Sequence, residues 1–177
     1  LAGTALYVQY LKTELVRSMA IEDAARYSEA LQEFRTLYTS EVVERAIATG
    51  TVITHEYRDQ PGALPLPATL SMLLGNRLTE KSGGHVRLYS DFPFPHRTEE
   101  ETSLDKVEQY ALAQLRESPD TPVYQFEEGL NGIQIRYATA DLMRDLRGGR
   151  IAMIFQDPIQ LTLQSNVFLI LEIEIKS

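Results

Sequence analysis

From Thr4 to Thr49 the chain contains neither proline nor glycine, and nothing else in it limits the possible folds as much. Over that span Leu11, Leu15, Met19, Leu31, Phe34, Tyr38, Val42 and Ala46 recur mostly three or four residues apart, the spacing that lays apolar side chains along one side of an α-helix. One long helix, or two nearly continuous ones, is expected. At ~1.5 Å per residue it would run to roughly 65 Å, about twice the width of a small domain, so part of it must protrude or pair. Exposed Leu11, Leu15 and Met19 would otherwise face water, which implies a parallel homodimer through residues 4 to 45. Gly50 supplies the stop, because a helix C-terminus favours a residue that accepts left-handed dihedrals.

Beyond the helix the pattern changes. "TVITHEYRDQPG" alternates weakly and ends in a Pro-Gly turn. Pro65 and Pro67 then exclude helix until Pro67 can serve in a first turn, so a short helix is expected over 68–78 with Leu70, Leu73, Leu74 and Leu78 as its apolar stripe. "HVRLYS" reads as a strand, and the prolines after it keep 91–97 extended. A third helix is expected through "TEEETSLDKVEQYALAQLRES", with acidic residues ahead of its apolar side, Ser or Thr as its cap, and Leu104, Val107, Ala111 and Leu115 as that side. "PVYQFEEGLNGIQIRYATA" reads as two strands around a turn containing Asn131-Gly132. "RIAMIFQDP" and "NVFLILEIEI" add two more. Helices followed by a run of strands imply an α+β domain, an antiparallel sheet covered by helices.

The bulk numbers exclude several classes. With 177 residues and 44 % hydrophobic content the chain is sized for one packed domain. A net charge of -8 without a basic stripe argues against nucleic acid as a partner. The absence of Cys removes thiolate zinc sites, iron-sulfur clusters and covalently attached haem. No run of residues is long and apolar enough to span a bilayer, although the opening "LAGTALYVQYL" reads like the last turns of a helix leaving one, so membrane attachment is expected through segments outside this sequence.

Enzyme chemistry finds no foothold. His55, His85 and His96 lie in no nucleophile-elbow context, and "KSGGH" and "LRGGR" lack phosphate-loop spacing and read as turns. Non-covalent haem would need an axial histidine, and only His96, after an extended Pro-Phe-Pro run, is a candidate to point into a pocket. The aromatic residues Tyr89, Phe92, Phe94, Tyr124, Phe126 and Tyr137 suit a core, or the wall of a cavity with Arg87, Arg97 and Arg136 at its rim. A guanidinium fork in a largely apolar pocket suits a small carboxylate. The candidate ligand-binding set is therefore Tyr89, Phe94, His96, Arg97, Arg136 and Tyr137, with Asp91 or Asp141 as the internal acceptor when no ligand is bound.

"EFRTLYTSEVVERA" at 33–46, "LPLPATL" at 64–70, "LYSDFPFPHR" at 88–97, "VYQFEEG" at 123–129 and "IRYATADLM" at 135–143 together resemble a PAS-like extracytoplasmic sensor domain. That family is attached to bacterial cyclases, histidine kinases and chemotaxis receptors. In many members a Cys-x-x-Cys-His haem-attachment segment follows the last of these motifs; here Met143 passes directly to "RDLRGGRIAMI". The resemblance, without that segment, implies a sensor lacking covalent haem at the periplasmic or extracellular face of the inner membrane, with residues 1–50 as signalling helix and 51–177 as sensor domain, and a non-covalent haem sensor as an alternative. The rival from another class is a dimerisation module with no ligand.

Overall fold

The computed structural model describes residues 2–80, 84–89, 103–129, 132–142 and 168–176. Helix α1 runs from Ala2 to Tyr38, passes through a π-helical turn at Thr39–Val43, and continues as α2, Glu44–Ala48. Gly50 ends it with φ +82°. Thr51 N–H donates to Ala46 O at 2.9 Å and Gly50 N–H to Ile47 O at 3.0 Å, the paired closure that a left-handed glycine permits. Gly62, also at φ +82°, turns the chain after Pro61, with Ala63 N–H on Gln60 O. That turn brings β2 (Leu64–Pro65) alongside β1 (Ile53–Thr54) as a short parallel pair.

The π-turn changes which residues are buried. The expected stripe continued from Leu31 to Tyr38 and Val42, but the buried positions after Leu31 are Thr39 and Val43, while Val42 is exposed. One extra residue in a turn shifts helical phase by about 100°, which brings Thr39 and Val43 round to the side that Ala24, Ser28 and Leu31 already bury. Glu44 N–H reaches back five residues to Thr39 O, and the Thr39 hydroxyl donates to Arg35 O at 2.8 Å.

Helix α3 spans Pro67–Thr79 with its proline in the first turn. Its buried line is Ser71, Gly75 and Thr79, whereas Leu78 of the expected leucine stripe is exposed. Small residues sit there because β3 (His85–Tyr89) and α1 approach closely: a Cβ on Gly75 would lie 2.7 Å from Val86 Cγ2 and 3.0 Å from Leu31 Cδ1. The Asn76 amide oxygen accepts the Val86 N–H at 2.8 Å, so α3 also closes the outer edge of β3.

Helix α4 is Lys106–Glu117, and the remaining strands are β4 (Val123–Gly129), β5 (Gly132–Leu142) and β6 (Phe168–Lys176). The sheet order is β3-β6-β5-β4, antiparallel throughout. Gly129 pairs with Gly132, so Gly132 opens β5 instead of sitting within the turn. The strand expected at "RIAMIFQDP" lies outside the described residues.

Period-two alternation divides the two faces of the sheet. On one, α1 and α3 cover Val86, Leu88, Ile135 and Tyr137 with Leu31, Met72, Leu74, Ala20 and Ala24. Ser28 and Thr139 hydroxyls meet there at 2.6 Å, and the Gln32 amide donates to Thr139 Oγ1 at 3.1 Å. On the other, α4 packs Ala111, Leu112 and Leu115 over Tyr89 and Ala138, flanked by Leu104, Val123 and Ala140. The architecture is α+β, and among the described residues it is a four-stranded antiparallel sheet between helical layers. Before Ala20, Arg17 still lies over the Phe126 ring, 5.3 Å from its centre, whereas Leu6, Tyr7, Tyr10, Leu11, Leu15 and Met19 are exposed.

Candidate functional site

Charge gathers where α4 begins. Asp105 is the N-cap: its Oδ1 accepts the Glu108 N–H at 2.8 Å, and Glu108 Oε2 accepts the Asp105 N–H at 2.8 Å. This reciprocal capping box satisfies two donors that the first turn leaves open, and the cap is Asp105 in place of the expected Ser or Thr. Glu108 is 1 % exposed, which would be untenable for a lone carboxylate. Its other oxygen, Oε1, takes an ion pair from Arg87 Nη1 of β3 and lies 3.9 Å from Arg136 Nη2 of β5.

Arg136 is the more enclosed of the two guanidinia. Its Nη1 donates to Asp105 Oδ2 at 2.7 Å and lies 3.9 Å from Glu127 Oε1 of β4. Arg87 also donates through Nη2 to the Ser103 carbonyl at 2.8 Å, and its guanidinium stands 6.0 Å from the centre of the Tyr89 ring. The backbone register sets Arg87 opposite Glu172 and Arg136 opposite Glu174 of β6. Three strands and the first turn of a helix are thus brought together by two arginines and three carboxylates.

Partial burial pulls the Asp105 carboxyl upward. The hydrogen bond from Arg136, the Glu108 and Val107 backbone N–H groups and the Arg136 charge outweigh it, so the group titrates below its ordinary value. A carboxyl depressed in the folded state adds stability in full above its unfolded value of about 3.9, and loses that contribution as pH falls through its folded value. Melting curves of the native domain and Asp105→Asn between pH 7 and pH 2 are therefore expected to differ most near neutrality. They should converge below about pH 4.

The sequence-derived candidates separate. Tyr89 and Arg136 lie on the α4 side of the sheet, Tyr89 inside the apolar cluster and Arg136 in the charged one. Tyr137 lies on the α1 side, 6.5 Å from Tyr124 in a stacked pair, where burial and then the neighbouring Tyr124 raise its pKa. Asp91, Phe94, His96 and Arg97 lie outside the described residues, as does the Asp141 side chain. Arg136 finds its hydrogen-bonded acceptor in Asp105. Asp105 and Glu108 are not among the sequence-derived candidates; the D-x-x-E spacing before an apolar run is the signal that finds them.

Among the described residues no cluster of His, Asp or Glu is arranged to hold a metal ion. The one histidine whose side chain is described, His55, is exposed and 3.8 Å from Glu56, so it offers no enclosed axial ligand for haem.

Neither a family model nor a curated protein matches this sequence. Among solved structures the chain is similar to the crystal structure of the cyanobacterial haem protein Tll0287, at 11 % identity and a TM-score of 0.48, covering 90 % of this chain and 96 % of that one.

Proposed function

We propose that this chain is the sensory domain of a bacterial membrane signalling protein, which binds a small carboxylate beside Arg136 and passes the change to α1. The observation that carries this reading is the position of β5. Its Arg136 side reaches the charged cluster at the start of α4, and three residues on, its Thr139 is hydrogen-bonded to Ser28 and Gln32 of α1. One strand thus touches both the candidate cue site and the candidate output helix. The PAS-like class, the extracytoplasmic address and an output domain such as a cyclase or kinase follow the resemblance of the quoted motifs; this domain itself carries no enzyme activity. Leu11, Leu15 and Met19, all exposed in the single chain, pair with a second copy in a parallel dimer.

The test is a melting assay with acetate, propionate and succinate, against chloride at matched ionic strength. At about 100 times the dissociation constant a ligand stabilises the folded state by roughly 2.7 kcal/mol, a shift of about 5–10 °C for a domain of this size. The native domain and Arg77→Ala, altered at an exposed position of α3, should both shift. Arg136→Ala should not. An equal shift in Arg136→Ala places the site elsewhere, and no shift with the native domain favours the rival dimerisation module.

A further inference from the structure

Three carboxylates face Arg136, and they are not held alike. Glu108 is fully buried, with Oε1 on Arg87 and Oε2 on the Asp105 N–H, so releasing it would strand a charge and a backbone donor. Glu127 lies 3.9 Å away, beyond hydrogen-bond distance. Asp105 makes the short contact, 2.7 Å from Oδ2, yet its side chain is 52 % exposed whereas that of Arg136 is 12 % exposed. Its cap on α4 uses the other oxygen, Oδ1, and survives if Oδ2 lets go.

We propose that Asp105 is a built-in competitor for the carboxylate site: it occupies Arg136 in the empty domain and is displaced by an incoming ligand. The inference rests on the carboxylate-sensing function above and specifies how that site is regulated. Exchange of one carboxylate for another leaves the charge of the cluster unchanged, whereas adding an anion beside a retained Asp105 would increase repulsion. A tethered carboxylate acts at an effective concentration of about millimolar or more, so it sets a threshold that a free acid must exceed. Displacement also removes the hydrogen bond from Arg136 of β5 to the N-cap of α4, which gives binding a structural consequence at that helix.

Asp105→Asn tests this directly, because Asn caps a helix as well as Asp but offers Arg136 no charged oxygen. Calorimetric titration with acetate and with succinate should give dissociation constants about tenfold lower in Asp105→Asn than in the native domain, equivalent to about 1.4 kcal/mol. Arg136→Ala should bind neither probe. Equal or weaker binding in Asp105→Asn, with the native domain binding and Arg136→Ala silent, overturns the competitor while leaving the carboxylate site intact. No binding by the native domain or by Asp105→Asn overturns both. Asp105→Ser, which also retains a cap, gives the same comparison should the Asn variant fold poorly.

Discussion

Replacing Glu108 with Ala is expected to lower stability by about 3 kcal/mol or more, the usual penalty for removing one member of a buried charge group. The mechanism is specific to this position. Arg87 and Arg136 lose the carboxylate between them, and the Asp105 N–H loses its acceptor at the first turn of α4. Against a total of about 5–15 kcal/mol for a typical domain, that is a large fraction. Glu108→Gln, which keeps the shape and one acceptor oxygen, should cost less than Glu108→Ala. Urea unfolding of the three proteins decides the matter, and a Glu108→Ala loss below about 0.5 kcal/mol, in the range of an ordinary surface change, would show that the cluster does not hold strand to helix.

The second large effect is at Gly75. Alanine there would gain about 1 kcal/mol of helix propensity in isolation, but its Cβ would meet Val86 at 2.7 and 2.9 Å and Leu31 at 3.0 Å. The Val86 contacts include its Cβ, part of a stiff β-branched stem, so α3 or β3 must move. Overpacking of this kind costs about 1–3 kcal/mol for small intrusions. Gly75→Val adds two further methyl groups and loses the propensity gain, so its loss should exceed that of Gly75→Ala and reach about 3 kcal/mol. Val86→Ala combined with Gly75→Ala should recover part of the loss, a coupling that a double-mutant cycle reads directly. Additive losses would mean that the two residues do not press on one another.

Local chemistry made much of this fold legible. Gly50 and Pro67 sit where a helix ends and begins because left-handed dihedrals and a missing N–H are backbone properties, independent of what lies across the core. The β4–β5 hairpin and the strands at "HVRLY" and "FLILEIEIK" followed from alternation and turn residues. Phase and facing did not follow. The π-turn moved burial from Val42 to Val43, and α3 buried Ser71, Gly75 and Thr79 because its neighbours pack too close for leucine there. The same limit applies to the site. Arg136 stood out as a charge in an apolar strand, but its partner lies 31 residues away at the start of a helix. Sequence spacing could not foresee that Glu108 would be enclosed by arginines from two strands that are not adjacent in the sheet.

The most direct measurement follows arginine side-chain and backbone amide signals by NMR while succinate is added to the native domain at constant ionic strength. The Arg136 side chain and the Val107 and Glu108 amides at the start of α4 should shift first and saturate together, with smaller changes spreading through Thr139 to Ser28 of α1. Shifts confined to other residues, with Arg136 and the α4 turn unmoved at saturation, would contradict a carboxylate site on this face of the sheet.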